Sequence, residues 1–253
     1  MMRCRDAILM IVALCVVIGR TPARAEGDPG AIRWKTQSGT ARPAAEPAGS
    51  AALVTTTRDR HLVVQFNKVP GRAQRAALAN QGITLQRYLG NNAFFARVKG
   101  RPGSGQAALA AGLRGASAIR HEWKLHPRLL RGELPDYARI PADIAGVPGA
   151  KERKREAEQR GQVTATEEVA ALYVVFHPDV DLDTAAATVV GRYGGTVRSP
   201  IRSINAAVVW LPADRVQAFA EEDEVQWVEP PLPPLDVSND SNRYITQADI
   251  VQA

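Results

Sequence analysis

The sequence predicts an α+β protein that contains one β-α-β-β-α-β unit twice in tandem. Three observations lead to this prediction. An apolar pattern in residues 61–125 returns in residues 171–229. Within each copy, short strand-like runs alternate with segments of helical period. Segments rich in proline, glycine or charge precede and separate the copies, at 26–50 and 132–169.

The second copy has the clearer elements. Residues 171–176 are predicted to form a strand, and apolar residues in 182–193 recur at helical spacing. Asp181 is placed to cap this helix, and Gly194-Gly195 ends it. The next strand, 196–203, contains Pro200, which favours a position at the edge of a sheet because proline has no N–H.

The rest of the second copy is a hairpin, a short helix and a closing strand. Asn205 predicts a tight turn into the strand 206–211. Pro212 then suits the first turn of a short helix, whose apolar residues Val216 and Phe219 lie on one face. Residues 224–229 form the last predicted strand, which Pro230-Pro231 closes.

The first copy follows the same order. Its hairpin turn is predicted at Gly90-Asn91-Asn92. The predicted strands are 61–66, 83–89, 93–98 and 117–125, and the predicted helices are 71–81 and 106–114. Two such units imply two tandem ferredoxin-like domains, each an antiparallel four-stranded sheet of order 4-1-3-2 with two helices on one face.

The chain is thereby divided into six segments. They are a signal peptide (1–25), a flexible Ala/Pro/Gly-rich spacer (26–54), the first ferredoxin-like domain (55–131), a charged linker (132–168), the second, propeptide-like domain (169–234) and an extended tail (235–253).

The N-terminus is typical of a secretory signal peptide. A basic start is followed by an apolar run at 7–18 and by the small residues of Ala23-Arg24-Ala25, which predicts cleavage between Ala25 and Glu26. An uncleaved membrane anchor is the alternative. Both cysteines, Cys4 and Cys15, lie in this leader, so the processed chain has no disulfide. We expect a secreted or periplasmic protein that meets a membrane only through its signal peptide during export.

Charge is distributed unevenly along the chain. Residues 26–169 hold 23 basic and 13 acidic residues, whereas residues 170–253 hold 5 and 12. Phosphate would repel the acidic third of the chain, which argues against a nucleic-acid partner.

Few motifs in the sequence indicate catalysis. Gly103-Ser104-Gly105 begins a G-x-G-x-x-A match, but a β-α-β-β-α-β unit lacks the parallel crossover that a dinucleotide site needs. There is no G-x-S-x-G elbow and no His-Gly pair. The isolated histidines are His61, His121, His126 and His177, and none has a metal-ligand partner at the usual spacing. We expect no catalytic residues, no cofactor and no metal, and therefore no enzyme activity in this chain.

An open sheet face is the feature that indicates function. Both helices of such a unit cover one face, and strand 206–211 is apolar on both of its sides. One of its two rows, which are Ala206, Val208 and Trp210 or Ala207, Val209 and Leu211, must therefore face away from the helices. We expect a partner protein to cover this row of apolar side chains. The alternative is that the two domains, or the segment 132–169, cover each other.

Three short motifs resemble a known family. The run Tyr173-Val-Val-Phe-His-Pro-Asp-Val-Asp181, the turn Tyr193-Gly-Gly-Thr-Val197 and the closing strand Val225-Gln-Trp-Val-Glu-Pro-Pro231 resemble the N-terminal prodomain of bacterial subtilisin-like serine proteases. The tail 237–253 is similar to the segment that joins this prodomain to the catalytic domain. The first copy resembles the same module more distantly, and residues 1–253 contain no match to the catalytic domain of that family.

The resemblance implies a prodomain that helps a subtilisin-like protease fold and inhibits it, with the protease in cis or in trans. In that family the open sheet face packs on two protease helices, and the C-terminal tail occupies the substrate cleft. The residues that would bind the protease here are Val208, Trp210, Glu221, Glu222, Glu224, Trp227, Glu229, Asp236, Asn239, Asp240 and Asn242. An exported structural or protein-interaction module without a protease partner is the alternative function.

Overall fold

The computed structural model describes residues 32–33, 40–41, 46–56, 58–146, 149–160 and 168–233. The protein is a mixed α+β fold with two larger antiparallel sheets, one of four strands and one of five. The predictions for the signal peptide, its cleavage at Ala25 and Glu26, and the tail 235–253 lie outside the described residues. Within the described ranges, no helix is both long and apolar enough to cross a membrane.

The N-terminal half begins with two short paired strands and continues as a unit that we call the first unit (residues 46–123). Its elements are β1 (Ile32–Arg33), β2 (Thr40–Ala41), α1 (Pro47–Thr56), β3 (Arg60–Phe66), α2 (Arg72–Asn80), β4 (Ile83–Gly90), β5 (Ala93–Val98), α3 (Ser104–Ala110) and β6 (Leu113–Ala118).

The four-stranded sheet of the first unit has the order β4-β5-β3-β6, which agrees with the strand order expected from the sequence. One face of β3 and β5 packs under α1, α2 and α3 around Leu62, Val64 and Phe94. The β4–β5 hairpin turns at Asn91 and Asn92, with φ of 47° and 58°. Two adjacent residues with positive φ are typical of a tight hairpin turn, as predicted.

Part of the predicted spacer is an ordered helix. The low apolar content of residues 26–54 predicts a flexible segment, and this prediction is wrong for α1. Val54 is fully buried in the core of the first unit. The buried Ser50 hydroxyl accepts a hydrogen bond from the backbone N–H of Ala116 in β6 (2.9 Å). A helix that covers the edge strand and pairs with its N–H group removes an unpaired sheet edge.

The second glycine of the G-x-G-x-x-A match is required for helix packing. The backbone N–H of Gly105 donates a hydrogen bond to the Thr55 hydroxyl of α1 (3.1 Å). A Cβ atom at this position would lie 2.5 Å from that oxygen and 2.6 Å from the carbonyl oxygen of Ala51. This glycine therefore lets α1 and α3 approach closely.

We expect Gly105→Ala to lower the free energy of unfolding by about 1–3 kcal/mol, because α1 must move away from α3. Gly191→Ala is the matched control, since nothing lies within 4 Å of its added Cβ. In helix residues 185–192 that change is expected to raise stability by up to about 1 kcal/mol. Chemical denaturation of both variants measures the effect, and equal stability of the two would contradict the packing explanation.

The C-terminal half forms a larger unit, which we call the second unit (residues 124–233). Its elements are α4 (Pro127–Leu130), β7 (Arg139–Pro141), α5 (Ala142–Ala145), α6 (Ala150–Gln159), β8 (Glu168–Phe176), α7 (Ala185–Arg192), β9 (Thr196–Ile201), β10 (Ala206–Pro212), α8 (Val216–Phe219) and β11 (Val225–Glu229).

The second sheet has the order β11-β8-β10-β9, and β7 pairs with β8 beyond the end of β11. Helices α7 and α8 cover one face, with a core that includes Leu172, Val209 and Phe219. Pro200 lies on β9 at the edge of this sheet, and Asn205 has a positive φ of 52° before β10, both as predicted. The Asp181 carboxylate accepts the Thr184 N–H (2.8 Å) just before α7.

Two segment predictions are corrected by this half of the structure. The fourth strand of the first unit ends at Ala118, and Leu125 instead lies fully buried in the core of the second unit. Its backbone forms a parallel bridge with Val228 of β11. The predicted linker 132–168 contributes β7 to the second sheet and packs α5 and α6 against it. Its apolar residues, although sparse, reach a sheet face that would otherwise be exposed.

Candidate functional site

The sheet face predicted to bind a protease exists on the second unit. Successive residues of a strand point to opposite faces, and the odd residues of β8 and even residues of β10 lie away from α7 and α8. We call the part of this face near the start of β10 the open face. It consists of the half-buried residues Tyr173, Val175, Ile201 and Val208, with the buried Ala206 between them.

The other end of the same sheet face is covered. Trp210 packs against a cluster formed by Ala142, Ala150 and Val169, and the Arg198 guanidinium lies 4.1 Å from the centre of its ring. Trp227 is only 6% exposed. Of the predicted apolar binding residues, Val208 is therefore the one placed on the open face with accessible surface. The alternative in which the segment 132–169 covers the sheet holds at the Trp210 end.

Three of the predicted acidic binding residues have partners within the chain. The Glu222 carboxylate accepts the Tyr193 hydroxyl (2.7 Å) and lies 3.2 Å from the Arg192 guanidinium, which is also 3.6 Å from Glu224. Glu229 accepts the Trp227 indole N–H (2.7 Å). Glu221 is exposed on the loop after α8. The remaining predicted residues, Asp236, Asn239, Asp240 and Asn242, and the cleavage residues Ala25 and Glu26, lie outside the described residues.

Sequence reasoning missed a polar cluster where the two units meet. We call this cluster the junction, and it consists of His61, Gln86, Arg97, His177, Asp179 and Asp223. His61, on β3, follows an exposed arginine, and His177 follows β8. Their rings stack in parallel with centroids 3.8 Å apart. Phe95 of β5 meets the His177 ring edge to face at 5.2 Å.

His61 is held between two carboxylates of the second unit. Its Nδ1–H donates to Asp223 (2.7 Å), its Nε2–H donates to Asp179 (2.9 Å), and its backbone N–H also donates to Asp223. Burial alone would lower the pKa of His61, but these hydrogen bonds outweigh burial and raise the pKa to about 9. The imidazole is therefore a cation at neutral pH. At Asp179, burial alone would raise the pKa, but the hydrogen bonds hold it well below its usual range.

His177 has the opposite character. Burial, together with the neighbouring charges of His61 and Lys124, lowers the pKa of His177 to about 2, so this ring is neutral. The Gln86 side chain fixes its tautomer. Its amide N–H₂ donates to Asp179, so its oxygen accepts the Nδ1–H of His177 (3.1 Å). The His177 Nε2 is buried and has no hydrogen-bond partner among the described residues.

The junction brings together charges from the basic and the acidic parts of the sequence. Arg97 of the first unit bonds Asp179 (3.1 Å), and Arg87 donates to the carbonyl oxygen of Ile204 (2.7 Å). The basic first unit thus meets the acidic loops that follow β8 and precede β11. Opposite charges of the two units are matched inside the chain, where partial burial reduces their screening by salt.

The histidine pair predicts a maximum of stability near pH 6.5. Because the pKa of His61 rises from about 6.5 in the unfolded chain to about 9, its contribution is complete below pH 6.5 and falls as the pH rises to 9. Because the pKa of His177 falls to about 2, stability also declines below pH 6.5. Burial lowers the pKa of Lys124 to about 8, so this residue makes the free energy of unfolding rise with pH only above pH 8.

We therefore expect the free energy of unfolding to fall by about 1–2 kcal/mol between pH 6.5 and pH 8. The ionic groups near His61 are Arg60, Arg97, Lys124, His177, Asp179 and Asp223. Of these, His61 is the group whose number of bound protons differs most between the folded and the unfolded chain across this interval. Urea denaturation at both pH values should show the fall in the wild type and in the control His121→Gln, which changes a half-buried histidine outside the junction. A fall of the same size in His61→Gln would contradict the assignment.

The described residues hold no candidate metal centre. Their His, Cys, Asp and Glu side chains form no group of three or more that could hold a metal ion. The Asp–His–Asp arrangement can hold a positive charge, but both ring nitrogens of His61 are already bonded to carboxylates. These hydrogen bonds join the first unit to the second. The open face, in contrast, presents apolar side chains that keep part of their surface accessible.

Comparison with known proteins gives one match. A family model described as a domain of unknown function (DUF8729) matches residues 33–120, which include most of the first unit. No curated protein and no solved structure matches the chain.

Proposed function

We propose that this chain is an exported, non-catalytic protein that binds and inhibits a subtilisin-like serine protease and helps it fold. We further propose that its two units are ferredoxin-like domains, since each has the strand order second–third–first–fourth with helices on one face. The motifs that resemble subtilase prodomains lie on β8, on the turn after α7 and on β11. Of these elements, β8 contributes to the open face and β11 pairs with it at Tyr173, whereas the turn after α7 lies at the Trp210 end of the sheet.

The observation that carries the proposal is the difference between the two sheet faces. In the first unit, the face opposite the helices packs Val63 and Phe95 with Ile32, and it also meets His177 of the second unit. In the second unit, Tyr173 and Val208 form a directly opposed cross-strand pair and keep part of their surface accessible. A half-exposed apolar strip on a rigid sheet suits protein–protein contact.

The path of the chain supports a role for the tail. Glu229 ends β11 directly opposite Tyr173, so the chain leaves the sheet beside the open face. The next residues, Pro230-Pro231-Leu232-Pro233, restrict the backbone to extended conformations. A protease bound to the open face would lie close to residues 234–253, and an extended peptide can add main-chain hydrogen bonds in a substrate cleft.

Inhibition of purified subtilisin tests the proposal. We expect the wild-type chain to inhibit, and Val208→Asp to raise the inhibition constant at least about tenfold, because the contact would bury an unpaired carboxylate. Val69→Asp is the matched control, since Val69 is exposed on the first unit far from the open face. The control should inhibit like the wild type.

The outcomes also separate the alternative function. If the folded wild-type chain neither binds nor inhibits a subtilisin-like protease, the protease proposal is wrong and an exported protein-interaction module is favoured. If both aspartate variants inhibit as well as the wild type does, the open face is not the binding surface.

A further inference from the structure

A second surface of the molecule lies at the end of the first unit opposite to the end at which His61 lies. It is formed where β3 ends, α2 begins and the β4–β5 hairpin turns. We call it the basic end, and it consists of Lys68, Val69, Arg72, Arg75, Tyr88 and Arg114, all of which are exposed. The junction lies at the opposite end of β3, near His61.

Hydrogen bonds hold the loops of the basic end together. The Asn92 side chain donates to the carbonyl oxygen of Asn67 (3.1 Å), and the Asn67 N–H donates to the carbonyl oxygen of Gly112 (2.8 Å). The guanidinium of Arg75 donates to the carbonyl oxygen of Pro70 (3.0 Å). Three turns of the chain therefore meet at this end and keep its side chains on one surface.

The charge of this surface is one-sided. Residues 58–123 contain 11 lysines and arginines but only two acids, Asp59 and Glu122. The pairing of Leu62 with Ala118 places both acids at the junction end of the sheet. Glu46, which precedes α1, offsets at most one of the positive charges. Arg97 is already paired with Asp179 in the junction. The lysine and arginines of the basic end, in contrast, have no carboxylate partner among the described residues.

Two apolar side chains project among these charges. Val69 is 45% exposed and Tyr88 is 55% exposed. Tyr88 packs on Phe94 with ring centroids 5.0 Å apart, and Arg75 lies over the same Phe94 ring at 5.1 Å. Tyrosine and aliphatic residues within a basic rim are characteristic of surfaces that lie at the boundary between lipid headgroups and acyl chains.

We propose that the basic end binds the surface of a membrane that contains anionic phospholipid. The lysine and arginines would contact the phosphate groups, and Val69 and Tyr88 would enter the interfacial layer. This binding would place the junction and the second unit away from the lipid. The open face would then remain accessible, and the two activities would be independent of each other.

Vesicle sedimentation tests this inference. The processed chain beginning at Glu26 retains every described residue and lacks the apolar leader. We expect it to bind vesicles of phosphatidylglycerol and phosphatidylcholine at low salt, to bind pure phosphatidylcholine weakly, and to dissociate as salt rises. The double variant Lys68→Glu and Arg72→Glu should lose at least about tenfold in partitioning.

Matched variants distinguish the surface from net charge. Arg58→Glu with Lys99→Glu makes the same change of charge at the opposite end of the sheet, and we expect it to bind nearly as the wild type does. Val69→Ser with Tyr88→Ser should weaken binding severalfold at unchanged charge. Equal losses in both charge-reversed variants would overturn the inference. So would duplex DNA binding that equals vesicle binding and is lost in the same variant, since a nucleic acid would then be the partner.

Discussion

Asp223→Asn is expected to lower the free energy of unfolding by about 2–3 kcal/mol. The Asp223 carboxylate accepts both the ring Nδ1–H and the backbone N–H of His61, and it lies 3.9 Å from Arg60. An amide in its place leaves a buried imidazolium with one carboxylate instead of two. Because this bond joins residues 162 positions apart, its loss should also loosen the contact between the units.

Chemical denaturation and hydrogen exchange measure these two effects. Asp214→Asn is the matched control, because its exposed carboxylate pairs only with the adjacent Arg215 among the described residues. That variant should stay within about 0.5 kcal/mol of the wild type. If Asp223→Asn is equally harmless, the junction does not stabilise the fold.

Leu125→Ala should lower the free energy of unfolding by about 2–5 kcal/mol. Leu125 is fully buried in the core of the second unit, although it follows directly on the first. The backbone on either side of it bonds to Val228, through the carbonyl oxygen of Lys124 and the N–H of His126. Removal of its side chain leaves a cavity beneath β11.

Leu232→Ala makes the same chemical change where the side chain is 80% exposed, and its effect should be within about 0.5 kcal/mol. Thermal unfolding followed by circular dichroism compares the two variants. A loss of less than about 1 kcal/mol for Leu125→Ala would contradict its assignment to this core.

The pattern of the sequence predicts most strands of both sheets because those strands depend on local signals, and their order then follows from the β-α-β-β-α-β succession. Alternation of apolar residues, the Asn91-Asn92 turn and the position of Pro200 each act within a few residues. The errors arise where a segment is stabilised by distant contacts. Helix α1 has little amphipathic pattern, and Ser50 and Val54 are buried because β6 and α3 lie beside them. Leu125 looked like part of a local strand, yet it pairs with a residue about a hundred positions away.

Prediction of the candidate site from the sequence is limited in the same way, because distant contacts leave no local pattern. The alternation of β10 correctly places Val208 and Trp210 on one sheet face, and the structure shows that this face lies opposite the helices. It could not show that α5 and α6 pack on Trp210, since those helices carry few apolar residues. Nor do isolated histidines in a sequence reveal that two of them stack. The opposite charges of the two halves were the one available sign of the junction.

Hydrogen exchange of the chain with and without a subtilisin whose catalytic serine has been inactivated is the most direct test of the proposed function. Inactivation prevents digestion of the chain and leaves the binding surface of the protease intact. We predict protection in β8 around Tyr173 and in β10 around Val208, together with the segment after β11. The basic end should exchange as it does in the free chain. No protection, or protection confined to the first unit, would contradict the proposal that the second unit binds a subtilisin-like protease through its open face.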